Sequence, residues 1–298
     1  MAEKIKTLRV IAGEVEAGTL TKGAQFSFQY TKTAQSKDAV SLVMPVVERD
    51  ISRNALHPVF EMNLPEGYLR QRIVEQFRKH AKVDEMFFLA LQGASSIGRL
   101  GFESENSEPK SALYLPELIV KTSGPEFYLS EDKRLFIMRR FDITHDGRRL
   151  GMEDICVLMG IPADDKYDRS YEQVARAIKV FSEDPNSDLE TFFRSLCVSV
   201  LVGNGDAHLK NFAMLYDAPS TGKGCLSPMY DIVNTTVYQE GDTMALKLSK
   251  TRDFPNRTTM IRFGREHCHL TDKMAQATID QCIDAIRWGM AQFADYAE

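Results

Sequence analysis

The pattern of apolar and polar positions changes twice along the chain. Residues 8 to 45 alternate with a period of two: Phe26, Phe28 and Tyr30 share one face, and Ser27 and Gln29 take the other. Gly13, Gly18 and Gly23 punctuate this stretch as turns between short strands would, which predicts a small antiparallel sheet. From Glu66 the period lengthens. Leu69, Ile73 and Phe77 recur at helical spacing, and a second helix is expected from the N-cap Asp84 through Phe88 and Leu91 to Gly93. The first expectation for both helices is core packing under the sheet. Alternation returns in LPELIVKT and in LFIMRRFD, within residues 113 to 141, and the polar stretch 102 to 111 before them is expected to be a loop. After Gly151 the helical period dominates. Tyr171 to Phe181 carries Val174, Ile178 and Phe181 on one stripe. A Ser187-x-x-Glu190 capping box is expected to open an apolar helix from Leu189 to Val202 that stops at Gly203. AMLY (213–216) and LSPMY (226–230) suggest a hairpin, and Asp272 to Tyr296 a last helix. Strands early and helices late predict an α+β fold in two lobes.

Composition adds limits. The 298 residues carry 37 Lys+Arg against 42 Asp+Glu, a formal charge of -5. Such a balance argues against a chain that grips nucleic acid through its own net charge. Five cysteines at scattered spacings, Cys156, Cys197, Cys225, Cys268 and Cys282, make neither a disulfide framework nor a C-x-x-C metal pair. A reducing, cytoplasmic setting is expected. The charged residues Glu3, Lys4 and Lys6 speak against a signal peptide, and no apolar run is long enough to span a membrane.

The densest chemistry is Gly203-Asn204-Gly205-Asp206-Ala207-His208-Leu209-Lys210-Asn211, with Tyr230-Asp231-Ile232 twenty residues on, at the end of a predicted strand. Phosphoryl transfer from ATP needs a carboxylate for the attacking hydroxyl, oxygen ligands for Mg²⁺ and a cation for the phosphates. Protein kinases place an Asn five residues after the catalytic Asp, then a metal Asp after a strand. Asp206, Asn211 and Asp231 fit that order. His208 and Lys210 are candidates for the nucleotide side of the site, although His208 could equally buttress the loop. His267 and His269 flank Cys268 and suit an exposed strand or turn better than zinc. Lys121, ending a strand upstream, is the candidate phosphate lysine. The segment Met138-Arg139-Arg140-Phe141-Asp142 lies where a kinase keeps its hinge, so the backbone groups of Arg139 and Phe141 are candidates to meet adenine.

The stretches GNGDAHLKNF and SPMYDI resemble those of HipA-type serine/threonine protein kinases, toxins of bacterial toxin–antitoxin pairs. The likeness continues in GTLTKGAQFSFQY, in Phe60-Glu61-Met62-Asn63-Leu64-Pro65-Glu66-Gly67, in Ser96-Ile97-Gly98-Arg99, and in ELIVKTS, RRFD and MEDICVLMG. It implies a bilobal kinase-like fold, with an N-terminal β-rich subdomain over 1–100, the rest of the N-lobe over 101–141, and a helical C-lobe over 142–298. It also implies that Asp206 is the catalytic base, Asn211 and Asp231 are Mg²⁺ ligands and Lys121 is the ATP lysine. The implied substrate is a protein hydroxyl on a translation-related enzyme such as an aminoacyl-tRNA synthetase. The implied partner is a helix-turn-helix antitoxin, through which operator DNA is bound. The chain departs from the family pattern in two respects. The family's Gly-rich phosphate loop survives only as Ser107-Glu108-Pro109-Lys110, and about a dozen residues separate Lys121 from Leu135 where a kinase fits a helix. The two gaps, near Phe102–Glu108 and near Gly124–Glu126, suggest a longer chain from which a loop and a helix are missing. Two other readings fit the same residues: a small-molecule phosphotransferase, and a pseudokinase scaffold within an antitoxin complex.

Overall fold

The computed structural model describes residues 4–104, 126–129 and 134–292. The strand around Lys121, the Ser107–Lys110 remnant and both sequence gaps lie wholly or mostly outside them. The chain divides into two compact units. One takes residues 1–34, 47–54 and 64–150; the other takes 35–46, 55–63 and 151–298.

The first unit is built on an antiparallel sheet of β1 (Thr7–Ala12), β2 (Val15–Lys22), β3 (Phe26–Tyr30), β4 (Ile51–Arg53) and β5 (Leu100–Glu103). Its order is β4-β3-β2-β1-β5. The predicted face is found: Phe26, Phe28 and Tyr30 are buried, as are Leu8, Val10 and Leu20 on neighbouring strands. Gly18 must lack a side chain, because a Cβ there would stand 2.2 Å from the carbonyl oxygen of Gln29. The strand pattern ends at Tyr30, and residues 35–46 leave for the other unit. Phe102 and Glu103, expected in a loop, belong to β5, with Phe102 fully buried.

The two predicted helices fare differently. In α3 (Glu85–Gln92) the Asp84 carboxylate accepts from the Phe87 amide at 3.2 Å, and Met86, Phe88 and Leu89 are buried against β1 and β5. Helix α2 (Gly67–Phe77) forms as its period predicts but buries no residue, and Leu69 is 60 % exposed. The core-packing expectation for α2 is therefore wrong. Its apolar residues are spaced among Arg70, Arg72 and Gln71, and with a net polar composition the helix gains little by burial. A separate two-stranded ribbon joins β6 (Glu126–Leu129) to β7 (Arg134–Ile137).

The predicted strand through Asp142 stops at Ile137. Side-chain bonds replace the ladder there. The Asp142 carboxylate accepts from the Gly98 amide at 2.8 Å and from Arg140 Nε at 2.9 Å. Arg140 Nη2 reaches the Ser96 carbonyl at 3.0 Å, and Arg149 also donates to that carbonyl. Two of the segments singled out above, Ser96–Arg99 and RRFD, are thus one structure. It buries Asp142 beside an Arg140 that holds its carboxyl below the usual range against the cost of desolvation.

The second unit holds α1 (Pro58–Glu61), β8 (Gly151–Asp154), α4 (Ile155–Leu158), α5 (Tyr171–Phe181), α6 (Pro185–Leu201), β9 (Ala213–Tyr216), β10 (Cys225–Leu226), α7 (Arg257–His267) and α8 (Asp272–Gln292). Helix α6 is its spine. Phe192, Phe193 and Leu196 are fully buried, and α5 and α8 pack on it. It begins earlier than the capping box predicts. Asp184 accepts from the Ser187 amide at 3.3 Å and Pro185 occupies the first turn, so Ser187 is inside the helix. A proline in the first helical turn wastes no hydrogen bond, and this start outcompetes the one three residues on. Strand β10 is Cys225–Leu226, so only Leu226 of the expected 226–230 is in it, because Pro228 has no N–H for the ladder. His267 is the last residue of α7 and His269 a turn residue at φ 58°, so neither is in a strand. All five cysteines are free thiols, four of them buried.

The architecture is a mixed one, antiparallel sheets with helices. No helix among the described residues is long and apolar enough to cross a membrane.

Candidate functional site

Helix α6 stops where the candidate loop starts. Gly203, at φ 69°, donates to Val200 O at 3.3 Å, and Asn204 donates to Ser199 O at 2.8 Å. This pair of bonds is a Schellman close, which satisfies the last carbonyls and fixes the exit direction of the chain. The loop then ties itself down. The Asn204 side chain accepts from the Asp206 amide at 3.0 Å. The His208 amide donates to Asp206 O at 2.8 Å and to Asn211 Oδ1 at 2.9 Å. Tyr171 Oη donates to Ala207 O at 2.9 Å, and Tyr230 Oη to Lys210 O at 2.5 Å. Burial, with Asp154 and Asp231 nearby, raises the Tyr230 phenol well above its ordinary value, which keeps it a donor.

The side chains come together on that frame. Asn211, buried, donates from Nδ2 to Asp231 Oδ2 at 2.7 Å, across twenty residues of sequence. Asp231 is exposed and sits at φ 56°, a left-handed conformation costly for a non-glycine residue. The expected strand end is therefore a strained turn, five residues past β10. The Asp206 carboxylate is half-exposed and accepts from Tyr167 Oη at 2.8 Å. His208 Nε2 stands 4.0 Å from Asp206 Oδ1, and its ring meets Tyr167 edge-on at 5.1 Å. Burial, aided by the Lys166 ammonium, lowers the His208 pKa below the ordinary histidine value; Asp206 and Asp231 pull the other way. The net shift favours the neutral form of a ring that is buried in the protein interior. Asn204 and Asn211 also line a cavity of about 10 Å³ with Ser199, Ser227 and Tyr230, too small for any ligand beyond a single water.

The structure therefore brings Asp206, His208, Lys210, Asn211 and Asp231 together in one unit. Arg139, exposed, and Phe141, half-buried, belong to the other unit and lie outside any strand. Lys121 is outside the described residues. Sequence reasoning missed Tyr167, Lys166, Thr235 and Asp242. All four sit in irregular segments, and only the folded chain shows what they touch.

Two family models cover most of the chain. The HipA N-terminal domain matches residues 8–103, and the HipA-like C-terminal domain matches residues 118–289. The chain belongs to the HipA-like family. The Sinorhizobium fredii protein "Putative kinase Y4dM" is 39 % identical over 117 residues, 39 % of this chain and 27 % of that protein. A Haemophilus influenzae "Putative kinase" is 32 % identical over 114 residues, 35 % of this chain and 32 % of the relative. The matched regions thus span about a quarter to a third of these relatives' length. Among solved structures, the fold matches a chain of the Shewanella oneidensis toxin–antitoxin complex of HipA, HipB and operator DNA. The TM-score is 0.73 at 14 % identity, covering 96 % of this chain and 90 % of that one.

Proposed function

We propose that this HipA-like chain is an ATP- and Mg²⁺-dependent serine/threonine protein kinase of bilobal kinase-like fold, and that it serves as the toxin of a toxin–antitoxin pair. The observation that carries the proposal is the convergence of Asn211 and Asp231 at 2.7 Å beside a loop that presents the half-exposed carboxylate of Asp206. Two carboxylates and an amide are hard oxygen donors, which suits Mg²⁺, and no cysteine belongs to the set. The Asp231 carboxylate would hold the ion, and Asn211, whose Oδ1 accepts from the His208 amide while Nδ2 faces Asp231, would offer the remaining lone pair of Oδ1. Mg²⁺, when bound, neutralises the phosphate oxygens of ATP as charge develops on them.

The chain's own residues do the rest. Asp206 orients the substrate hydroxyl and takes its proton as the oxygen–phosphorus bond forms and ADP leaves with the bond to the γ-phosphorus broken. Tyr167 Oη, bonded to Asp206 Oδ1, leaves the other carboxylate oxygen for the substrate. Lys210 offers a cation on the same loop, and Lys121 remains the proposed phosphate lysine. His208 is buried, its ring packed edge-on against Tyr167, which favours a buttress over contact with nucleotide. The proposed target is a translation-related enzyme such as an aminoacyl-tRNA synthetase. The proposed partner is a helix-turn-helix antitoxin that brings operator DNA, a reading supported by the Shewanella complex and by the net charge of -5 here.

The test is Asp206→Asn. It is expected to abolish phosphoryl transfer and growth inhibition while fold and ATP affinity persist, because the lost interaction belongs to the transition state. A variant with near wild-type kinase activity would refute the assignment.

A further inference from the structure

The segment that follows Asp231 turns back onto the candidate loop at one side chain. Thr235 Oγ1 accepts from the Gly205 amide at 2.7 Å, lies 2.5 Å from Asp242 Oδ2 and 3.2 Å from Gly203 O. The Thr235 amide also donates to Gly203 O at 3.1 Å. A hydroxyl has one proton and two lone pairs. The short contact to a carboxylate takes the proton, since charge-assisted bonds are the stronger ones. A lone pair is thereby turned to the Gly205 N–H. The residue whose amide is held is the immediate neighbour of Asp206.

Gly205 is shaped for this contact. A Cβ there would stand 2.1 Å from Asp242 Oδ2 and 2.6 Å from Thr243 O, so any side chain would expel the segment. Gly203 is similarly hemmed in: a Cβ would stand 2.8 Å from Thr236 Oγ1. Two glycines within three residues, each closed off by the same returning segment, mark a fitted joint.

We infer that Thr235, oriented by Asp242, is a positioning residue for phosphoryl transfer: its hydroxyl fixes the Gly205 amide, its own amide holds the Gly203 carbonyl, and the hydroxyl contact aims the neighbouring Asp206 carboxylate. The inference rests on the kinase reading for its catalytic consequence and on geometry alone for the joint. Since Thr235 is four residues past Asp231, the joint also links the proposed metal carboxylate and the proposed base through one short stretch of chain.

The experiment compares Thr235→Val, which keeps the shape and removes the hydroxyl, with Thr235→Ser, which keeps the hydroxyl. Steady-state kinetics and amide hydrogen exchange are read on the full chain. Thr235→Val is expected to lower kcat about tenfold or more, with KM for ATP within about twofold of wild type, since a misaimed group costs rate rather than binding. It is also expected to speed exchange of the Gly205 amide. Thr235→Ser is expected to restore both. A Thr235→Val protein with unchanged Gly205 exchange would overturn the joint. Faster exchange with unchanged kcat in an active kinase would overturn the positioning role. If wild type transfers no phosphoryl group while Gly205 exchange responds as expected, the kinase reading fails, and the positioning role falls with it while the joint stands.

Discussion

Glu153 gives a quantitative handle on how the second unit is held together. It is buried at 1 % exposure in β8, and its carboxyl meets three groups. Ser41 Oγ lies 2.6 Å from Oε2, the Leu42 amide donates to Oε1 at 2.7 Å, and Tyr216 Oη donates to Oε1 as well. Burial pushes the pKa from the ordinary 4.5 up to about 7, with Asp154 adding to the rise and the three hydrogen bonds opposing it. The sign follows from proton counting. Below 4.5 both folded and unfolded chains hold the proton; between 4.5 and about 7 the folded chain holds it and the unfolded chain releases it. Stability therefore falls as pH rises through that window and stops falling above it. At ~1.4 kcal/mol per tenfold in the ionisation constant the total is about 3 kcal/mol, of which roughly 2 to 3 kcal/mol is lost between pH 5 and 8. Glu153→Gln is neutral and close in shape, and should lack this slope. Urea midpoints for wild type and variant at pH 5, 6, 7 and 8 measure it. The two curves are expected to converge at high pH, or to cross there, with wild type ahead at pH 5. Parallel curves would refute the assignment of the slope to this carboxyl.

Further predictions concern the candidate site. Asp231→Ala is expected to remove the Mg²⁺ dependence of ATP binding, and Asn211→Ala to weaken it less, because an amide offers the metal only a dipole; calorimetry with and without Mg²⁺ reads both. In carbon-detected NMR the His208 ring should titrate below the ordinary 6.5, and Lys166→Ala should raise that midpoint by removing a nearby cation. Because the unfolded histidine then binds the proton first, His208 is expected to cost stability as pH falls below 6.5, a trend His208→Gln should reduce. A gel shift with the chain alone at physiological salt should show no operator binding, since a net charge of -5 leaves little counterion release to drive it.

Local signals were enough wherever a helix carries its own punctuation. Tyr171–Phe181 has the predicted bounds, Asp84 and Gly93 bracket α3, and Gly203 ends α6. They failed where two signals compete over a few residues, as Asp184-Pro185 against Ser187-x-x-Glu190 at the start of α6. They also failed where periodicity says nothing about a neighbour, as for α2, whose apolar positions are regular but unburied. Of the candidate site, Asp206, Asn211 and Asp231 were singled out by a spacing like that of protein kinases, and the fold brings Asn211 and Asp231 into contact beside the Asp206 loop. Tyr167 and Thr235 were not. Each is one polar residue in an irregular stretch, and its meaning lies in a hydrogen bond across 39 or 30 positions of sequence.

The chain's division into interleaved segments bears on its synthesis. Ser41 and Leu42 belong to the second unit, but the carboxyl that anchors them lies 112 and 111 positions later. At the usual elongation rate of ~5–20 residues per second, those positions wait roughly 6–20 s for Glu153 to be made. Residues 55–63 wait too, while the intervening segments of the first unit are already available to pair. A nascent chain thus carries two short apolar stretches, around Val40 and around Phe60, whose native partners do not yet exist. That interval is where a ribosome-associated chaperone would find this protein, and no contiguous fragment cut at residue 150 would contain either unit complete and by itself.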